Sequence, residues 1–359
     1  MISNRSTPFV SVVMAVHNGD DYLQEAVNSI LNQTHRNYEF IIIDDGSTDE
    51  TANILRNFSK IDRRIRIITQ DNLGLAKSLN IGIKQAKSRY IARMDADDIS
   101  LPDRFKLQLT YLEKHPEISV LGGQVYFFGK HGDIFSQSEL PQEPQLISQG
   151  LKNYCQLIHP TTMFRREIIL SCGNYRPCFD TAQDYDLWLR VNERAKLANL
   201  PDVILNYRTH ANQLSVNKLS QQAFCWLAAK ESAKYRRQGY KDPLDGQDNI
   251  NLHTLKLLGL NSNVVYKYFL QFAVRAALNT VARGGKEQAM YIMDELAKHD
   301  AAKAYPRLRL AHQAWVRGCL YRHNGQRITA LGSIIKAVLL RPAYILWLIR
   351  SIGNKLQFG

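Results

Sequence analysis

The sequence predicts an α/β fold in which a mostly parallel sheet carries helices on both faces, followed by a C-terminal α-helical region. Short apolar runs, typical of strands buried on both faces, alternate with segments whose apolar residues recur at helical spacing. Strands that alternate with helices in this way favour a parallel sheet. Beyond residue 217 the strand-like runs end, and helix-forming residues dominate.

Each strand and helix is placed by its apolar pattern and by the turn residues at its ends. Strands are expected at 9–16, 38–43, 65–68, 90–94 and 118–128. The helices between them are expected to begin near Asp21, Ser47, Gly74 and Pro102. Ser47 and Glu50 have the spacing of a capping box. Residues 129–182 are less regular, and there we expect loops and short strands that close over a site.

The change in composition along the chain predicts two parts. We expect one domain over residues 1–217 and a basic helical region over residues 218–359. Within that region the apolar spacing predicts helices at about 221–238, 264–282, 285–299, 308–321 and 328–340. A chain of 359 residues with 45% hydrophobic residues is long enough to bury one large core or two medium ones.

Cysteine usage and the N-terminus predict a cytoplasmic location. The five cysteines include no Cys-x-x-Cys pair, and their low density is typical of reduced thiols. The apolar run at 9–16 is short and lacks the cleavage pattern of a signal peptide.

The net charge of +13 is concentrated in the C-terminal part of the chain. Residues 206–359 carry 23 Lys and Arg against 8 Asp and Glu, and residues 301–359 carry ten basic side chains and no acid. This asymmetry indicates a polyanionic partner. We expect an anionic membrane surface and no nucleic acid, because aromatic residues are not interleaved with the basic ones.

The most hydrophobic run of the C-terminal part is Ala343–Ile349, which includes the possible apolar anchor Tyr344–Ile349. It is too short to span a bilayer, which takes about 20 apolar residues. An interfacial helix and a core helix of the tail are both compatible with this pattern.

Three carboxylates, Asp95, Asp97 and Asp98, follow the apolar run at 90–94. They should lie in a strand-to-helix loop at the carboxyl end of a strand, where open α/β sheets bind ligands. Oxygen ligands of this kind suit Mg²⁺ or Mn²⁺, although a solvated acidic turn is the simpler interpretation of the triplet alone. We expect Asp98 to be a helix-capping neighbour and not a metal ligand.

The other predicted strands also end in polar or acidic residues. His17 and Asn18, Asp44 and Asp45, and Asp71 and Asn72 should gather with the three carboxylates along one edge of the sheet. Carboxylates that lie side by side repel one another unless a cation or a donor-rich ligand offsets the charge. The sequence contains no Gly-x-Gly-x-x-Gly and no Gly-Lys-Ser/Thr loop, so a metal that bridges carboxylates and a diphosphate is the natural substitute.

Across residues 8–215 the chain resembles the family 2 glycosyltransferases of the GT-A fold, of the bacterial surface-polysaccharide type. The matching blocks are Val12–Gly19, Ser29–Thr34, Ile43–Asp49, Asn72–Gly74, Asn80–Gly82, Arg93–Asp98, Gln183–Trp188 and Tyr207–His210. The resemblance implies a Rossmann-like sheet. It also implies a nucleotide-sugar-binding half at about 8–128 and an acceptor side at about 129–217.

The resemblance assigns the donor site to residues at the predicted sheet edge. It implies that Asp45 reads the nucleoside of a UDP-type donor. Four further residues, Val16, His17, Asn18 and Asn72, would belong to the same nucleotide-sugar pocket.

The resemblance also assigns a metal site. Asp97 would hold Mg²⁺ or Mn²⁺ on the diphosphate, and Asp95 would contact the ribose or a metal-bound water. His210 would complete the metal shell or satisfy a hydrogen bond, and the sequence leaves both open.

By the same resemblance, Asp184 is the general base. An acceptor hydroxyl is a poor nucleophile until its proton is removed, and a positioned carboxylate contributes roughly 10²–10⁴-fold to the rate. The family usually has Glu-Asp at this point, whereas this chain has Gln183-Asp184, so the pKa of the base or its acceptor contact is expected to differ. A plain helix N-cap is the alternative interpretation of Asp184.

Together these features predict a metal-dependent inverting glycosyltransferase. The expected donor is a UDP-sugar, and the expected acceptor is a glycan or lipid-linked oligosaccharide for surface polysaccharide. The enzyme would be peripheral on the inner face of the cell membrane. The alternatives are an enzyme like the sugar-1-phosphate nucleotidyltransferases, which usually have a Gly-rich basic loop after the first strand, and a non-catalytic membrane or scaffold protein that retains the fold.

Overall fold

A computed structural model describes residues 10–129, 132–210, 218–282, 289–294, 306–323 and 325–340. These residues form two compact units. The first contains the described residues up to Thr209 together with Ala228–Thr254, and the second contains His210–Leu227 and the described residues from Leu255 onward. The predicted domain boundary between residues 217 and 218 stays a prediction. In the structure, Ala228–Thr254 belongs with the first unit.

A single mixed sheet forms the centre of the first unit. Its strands among the described residues are β1 (Val10–Val16), β2 (Tyr38–Asp45), β3 (Ile65–Gln70), β4 (Tyr90–Met94), β5 (Ile99–Ser100), β6 (Ile118–Phe128), β7 (Ile134–Gln137), β8 (Met163–Arg165) and β9 (Lys196–Arg208). The order is β3-β2-β1-β4-β8-β6-β9-β5, and β7 pairs with β6. The first four strands are parallel, and β8 runs antiparallel between β4 and β6, so the prediction of a mostly parallel sheet is confirmed.

The helices up to residue 192 begin close to the predicted positions in the first four cases, whereas those at 144–151 and 166–171 lie where only loops and short strands were expected. They are α1 (Leu23–Leu31), α2 (Thr51–Ile61), α3 (Leu75–Gln85), α4 (Arg104–Lys114), α5 (Pro144–Leu151), α6 (Arg166–Ser171) and α7 (Gln183–Asn192). The capping box predicted for Ser47 and Glu50 is wrong. Glu50 is the N-cap of α2 without a side-chain hydrogen bond, and Ser47 Oγ accepts a hydrogen bond from the backbone N–H of Asn18 at 3.0 Å.

Strand register brings the predicted site residues to one edge of the sheet. Val16 pairs with Asp44 on β2, and Asp45 pairs with Gln70 on β3. The chain leaves β1 for β2 on one side, whereas β4 pairs with β1 on the other side. Such a reversal of strand order opens a crevice at the carboxyl ends of the strands, and open α/β sheets bind ligands there.

A buried ion-pair network attaches Ala228–Thr254 to the rest of the first unit. Asp186 of α7 is fully buried and pairs with Arg176 and with Arg190, the latter at 2.8 Å. Arg176 also contacts Asp242 at 2.9 Å, and Asp242 accepts a second ion pair from Arg236 at 2.6 Å. Burial disfavours the charge on Asp242, but the arginines and further hydrogen bonds lower its pKa to about 2.

The remaining helices are α8 (Leu219–Arg237), α9 (Leu252–Leu257), α10 (Ser262–Ala282), α11 (Pro306–His323) and α12 (Arg327–Leu340). Residues 289–294 are also helical, and the rest of the helix predicted at 285–299 lies outside the described residues. In the second unit, Ile292 and Met293 pack in one apolar cluster with Phe269 and Leu270 of α10. Within the described ranges, no helix is both long and apolar enough to cross a membrane. The run Tyr344–Ile349 lies outside those ranges.

We expect Gly82→Ala in α3 to destabilise the protein. An added Cβ at Gly82 would lie 2.5 Å from Val13 Cγ1 and 2.8 Å from Ile43 Cδ1, both on buried strand residues. Overpacking of this kind costs about 1–3 kcal/mol, which exceeds the gain of about 1 kcal/mol in helix propensity. Urea unfolding should therefore give a lower midpoint for the variant.

The matched control is Gly332→Ala in α12, where an added Cβ meets no atom within 4 Å. This variant should keep or slightly raise the free energy of unfolding, by up to about 1 kcal/mol. If Gly82→Ala and Gly332→Ala raised the free energy of unfolding equally, this result would contradict close packing of α3 on the sheet.

Candidate functional site

The loops after β1, β2, β3 and β4 lie side by side at the carboxyl edge of the sheet. Gly19, in the loop after β1, lies next to the loop after β4, since an added Cβ would be 3.9 Å from Ala96 Cβ, in ordinary van der Waals contact. Gly46, after β2, has φ +72°, and a Cβ there would lie 2.7 Å from the backbone nitrogen of Asn72, after β3. Glycine at position 46 therefore permits both the left-handed turn and the close approach of the two loops.

Asp45 is a buried carboxylate with nearly complete hydrogen bonding. Its Oδ1 accepts hydrogen bonds from Gln70 Nε2 at 2.7 Å and from the Leu73 N–H at 2.9 Å, and its Oδ2 accepts one from the Gly74 N–H at 2.9 Å. Burial disfavours the charged form, but these donors lower the pKa of Asp45 below its ordinary value. Asp45 is thus ionised, and it fixes the loop between β3 and α3.

His17 and Asn72 lie beside Asp45 on the exposed side of the same edge. His17 Nδ1 lies 2.9 Å from the backbone oxygen of Asp45, and Asn72 Nδ2 lies 3.2 Å from His17 Nε2. These contacts suit an imidazole that donates from Nδ1 and accepts at Nε2. Val16, one residue earlier, is buried at the end of β1.

Asn18 connects the loop after β1 to the loop after β2. Its Oδ1 accepts a hydrogen bond from the Thr48 N–H at 2.8 Å, and its backbone has a left-handed φ of 51°. The structure therefore brings together all five residues that were predicted for the nucleotide-sugar pocket on these three loops. Gln70, which donates to Asp45, was not predicted, because it lies beyond the strand expected at 65–68 and a lone glutamine gives no signal of such a contact.

Asp95, Asp97 and Asp98, here called the acid cluster, each offer a carboxylate oxygen within 4.8 Å of the others. Among the described residues this is the one group of at least three possible metal ligands. His210, which follows β9, is not a member of the group, so its role as a ligand stays a prediction. The oxygen-only set suits hard cations such as Mg²⁺ or Mn²⁺.

Asp98 is the most buried member of the acid cluster, with 1% of its surface exposed. Its Oδ1 accepts a hydrogen bond from the Arg208 N–H at 2.8 Å, while its Oδ2 is buried without a hydrogen-bond partner among the described residues. Burial, followed by the charges of Asp97 and Asp95, raises its pKa well above the ordinary value. A divalent cation would offset this cost, so the residues fit a metal.

The prediction that Asp98 is a capping residue is wrong. The N-cap of α4 is Asp103, whose side chain makes no capping bond, while Gln33 Oε1 accepts a hydrogen bond from the Phe105 N–H of the first turn at 3.2 Å. Asp98 instead holds the loop after β4 against the end of β9 through its bond to Arg208.

Arg93 and Arg208 balance the charge of the acid cluster. Arg93, at the end of β4, is buried and forms an ion pair with Asp95. Arg208 Nε donates to the backbone oxygen of Asp97 at 2.8 Å, and its guanidinium lies between the rings of Tyr22 and Phe128, 4.4 Å from each centroid. Neither arginine was predicted to have a role, although both lie inside the motif blocks that carried the resemblance.

Asp184 is the second residue of α7, and its environment differs from that of an N-cap. The N-cap is Ala182, which has a left-handed φ of 55°, so the alternative interpretation of Asp184 as a plain cap is wrong. Burial raises the pKa of Asp184, whereas the Tyr185 N–H and the charge of Arg93 lower it and Asp95 raises it further. The charges of the acid cluster therefore act on Asp184.

His159 lies among aromatic side chains near Arg93. Its Nε2 lies 2.7 Å from the hydroxyl of Tyr175, and its ring packs on Trp188. Burial, together with the charge of Arg93, lowers the pKa of His159 well below its ordinary value, so the ring is neutral.

Comparison with known sequences identifies relatives of the chain. A family model described as "Glycosyl transferase family 2" matches residues 11–172. The O-antigen biosynthesis glycosyltransferase WbnJ of Escherichia coli is 35% identical over 238 residues, which cover 65% of this chain and 89% of that protein.

Two solved structures share the fold at low sequence identity. One is Staphylococcus aureus TarS 1–349 in complex with UDP-GlcNAc, with a TM-score of 0.54, 17% identity and coverage of 90% of each chain. The other is the mannosyltransferase PcManGT from Pyrobaculum calidifontis in complex with GDP-Man and Mn²⁺, with a TM-score of 0.52, 16% identity and coverage of 93% of this chain and 88% of that one. They support the GT-A fold that was predicted. The family model and the extended identity to a named glycosyltransferase together establish that this chain belongs to glycosyl transferase family 2.

Proposed function

We propose that this glycosyltransferase moves a sugar from a nucleotide-sugar, with a UDP-sugar as the donor, to a glycan or lipid-linked oligosaccharide of surface polysaccharide synthesis. The observation that carries the proposal is the acid cluster, three carboxylates within 4.8 Å of one another at the switch point of the sheet. The O-antigen role in the name of the Escherichia coli relative supports the polysaccharide part. The alternatives of a nucleotidyltransferase and a non-catalytic scaffold gain no support from the family.

In this proposal the nucleoside is read at Asp45. Gln70 and the Leu73 N–H donate to Asp45 Oδ1, whereas Oδ2 accepts the Gly74 N–H, so we assign Oδ2 to an N–H of the base. His17 and Asn72 lie beside it with polar groups at the exposed edge. Val16 and Asn18 shape the same pocket. The UDP-GlcNAc complex of the structural relative supports a nucleotide-sugar donor.

The proposed metal-holding residues are Asp97, Asp95 and Asp98. A bound Mg²⁺ or Mn²⁺ would neutralise charge on the diphosphate of the donor. Arg93 holds Asp95 from within the sheet, and Arg208 fixes the backbone of Asp97, so the cluster is ordered by the chain itself. The Mn²⁺ in the complex of the structural relative supports a divalent cation.

Asp184 is the proposed base. It takes the proton from the acceptor hydroxyl as that oxygen bonds to the anomeric carbon and the bond from that carbon to the diphosphate breaks. Attack on the face opposite the leaving diphosphate inverts the configuration. A pKa raised by burial makes Asp184 a better proton acceptor than an ordinary aspartate, provided that it is ionised at the working pH.

We further propose that α12 docks on an anionic membrane surface on the inner face of the cell membrane. Four apolar side chains lie on one face of this helix and are at least half exposed, here called the apolar stripe: Ile328, Leu331, Ile335 and Leu339. Lys336 is exposed on the same helix, and residues 301–359 carry ten basic side chains without an acid. Exposed apolar and basic side chains on one helix are typical of interfacial binding.

The metal proposal predicts that Asp97→Ala weakens the binding of UDP by the enzyme in the presence of Mn²⁺. Without its cation the acid cluster would face the diphosphate charge directly. Calorimetry on the wild type should show the same loss with EDTA, while the variant should respond little to EDTA. Asp248→Ala, at an exposed carboxylate outside the cluster, is the control and should bind like the wild type. Equal UDP affinity of the wild type and of Asp97→Ala, each measured with Mn²⁺ and with EDTA, would refute the metal assignment.

The base proposal predicts that Asp184→Asn lowers kcat by about 10²-fold or more and leaves UDP binding and folding nearly intact. The pKa of Asp184 is raised, and the base must be ionised to accept a proton. As the pH is lowered, kcat of the wild type should therefore begin to fall at a higher pH than it would with a base of ordinary aspartate pKa. The rate of nucleoside diphosphate release measures kcat of the variant and the pH dependence of kcat of the wild type. Turnover within a few-fold of the wild type would exclude Asp184 as the base.

Asp186→Asn, two residues away, is the structural counterpart. It removes a buried charge that holds Arg176 and Arg190, so we expect a loss of about 3–5 kcal/mol in the free energy of unfolding. Asp184→Asn should therefore change mainly kcat, whereas Asp186→Asn, in the same helix turn, should change mainly the free energy of unfolding.

The membrane proposal predicts that the chain sediments with vesicles that contain phosphatidylglycerol and that binding weakens at high salt. Each basic side chain near the surface contributes about 1 kcal/mol within a Debye length of about 8 Å. The double variant Leu331→Glu, Leu339→Glu should bind much less. Ile61→Glu, at a 79% exposed position of α2, is the matched control and should bind normally. Equal binding by the double variant would show that the apolar stripe is not the docking face.

A further inference from the structure

A cavity of about 720 Å³ lies in the first unit between β6, β7, α5 and the loop after α5. Its lining includes Gln124 on β6, Gln149 and Gly150 on α5, and Tyr154 and Gln156 after α5. Six of the fourteen residues that line it carry side-chain amides, so it is here called the amide cavity. None of the residues assigned above to the donor, the metal or the base lines it.

The floor of the amide cavity is fixed by hydrogen bonds within the chain. Gln124 Oε1 accepts from Ser138 Oγ at 2.8 Å and from the Leu140 N–H at 2.9 Å, and its Nε2 donates to the Leu200 oxygen at 3.3 Å. Every polar atom of this amide is therefore engaged, and the side chain is buried. The floor is organised before any ligand binds.

Gly150 and Gln156 continue this floor. A Cβ at Gly150 would lie 2.4 Å from the side-chain amide carbon of Gln156, so only glycine lets the buried Gln156 lie against α5. Asn199 Nδ2 donates to the backbone oxygen of Gln156 at 2.9 Å and to that of Pro141 at 2.8 Å. One side chain thus holds both margins of the cavity in place.

The rim of the amide cavity offers polar groups without partners. The exposed side chains of Gln137, Gln142, Gln149 and Asn153 form no hydrogen bond with any other residue that the structure describes. Each amide supplies both donors and an acceptor, which is the pairing that hydroxyl groups need. The ring of Tyr154 is 49% exposed beside them and offers an apolar face.

The charge of the lining restricts the class of ligand. The residues that line the amide cavity include no Lys, Arg or His and a single acid, Glu139, in a chain of net charge +13. A cavity that binds phosphates or anionic headgroups is expected to carry cationic or charge-assisted donors. A neutral ligand with many hydroxyl groups and apolar C–H faces, a carbohydrate, fits this lining instead.

The amide cavity is joined to the helix that carries Asp184. The hydroxyl of Tyr185, the next residue in α7, donates to the Leu151 oxygen at the end of α5 at 2.7 Å. Asn192 Nδ2, at the other end of α7, donates to Ser148 Oγ of α5 at 3.0 Å. The helix that lines the cavity and the helix that carries the proposed base are therefore bonded at two points.

We propose that the amide cavity is a glycan-binding subsite that holds neutral sugar residues of the acceptor away from the reacting hydroxyl. This inference rests on the proposed function, because it names the acceptor side of the same enzyme. Contacts to remote sugars contribute binding energy that orients the reacting hydroxyl. Removal of those contacts raises KM for the acceptor, whereas removal of the base lowers kcat.

The test is a glycan array that carries neutral and phosphorylated bacterial surface oligosaccharides, probed with the fluorescently labelled full chain. The wild type should bind one or more neutral glycans. The double variant Gln149→Ala, Asn153→Ala should lose about tenfold or more of this binding, because two hydrogen-bonding amides are removed. Gln145→Ala is the matched control, since Gln145 is an exposed amide on the same helix that does not line the cavity, and it should bind like the wild type.

Asp184→Asn and Asp97→Ala should retain the glycan binding, which separates this inference from the proposed function. If those two variants lose turnover or UDP binding as expected, but the double variant binds glycans normally, the subsite is refuted and the function stands. Absence of any neutral glycan bound by the wild type, or selective binding of phosphorylated glycans, also overturns the subsite. Circular dichroism should show unchanged folding for the double variant, because both side chains are exposed.

Discussion

Repulsion among carboxylates at one edge of the sheet is the constraint on which the surrounding structure depends. The acid cluster concentrates three acids in a partly buried loop, so nearby arginines offset the charge. Arg93 pairs with Asp95 from inside the sheet, and Arg208 fixes the loop through its backbone and side chain. Arg104 of α4 is also fully buried, donates to the Arg93 oxygen at 2.7 Å, and has its pKa lowered to about 9 by burial. These contacts connect β9 to the loop and α4 to the end of β4.

The carboxylates of this edge fall into two kinds according to their partners. Asp45 accepts hydrogen bonds from three neutral donors, so its pKa is lowered although it is buried. Asp98 has one oxygen without a partner among the described residues, and its pKa is raised. The same contrast separates Asp186, which two arginines hold, from Asp184, whose pKa is raised. Asp186 stabilises the fold through its two arginines, whereas the raised pKa values of Asp98 and Asp184 accompany the roles in cation and proton chemistry that we propose for them.

The three proposed ligand surfaces differ in charge as their ligands require. The acid cluster suits a cation that carries a diphosphate, the amide cavity suits neutral sugars, and the basic C-terminal part suits an anionic leaflet. The first two surfaces belong to the first unit, and the apolar stripe of α12 belongs to the second. The net charge of +13 therefore does not indicate the charge of any one of these three surfaces.

The sequence by itself determined the first four parallel strands, β6, the helices that follow the first four strands, and the edge at which the acids gather. These features are local, because apolar periodicity defines each element and parallel strands align their carboxyl ends. Tertiary structure decided the partners of the acids. Asp98 binds Arg208, 110 residues away, and Ser47 binds the Asn18 N–H of another loop instead of forming a capping box with Glu50. Such contacts depend on how separate loops pack together, and no local pattern of residue types encodes that packing.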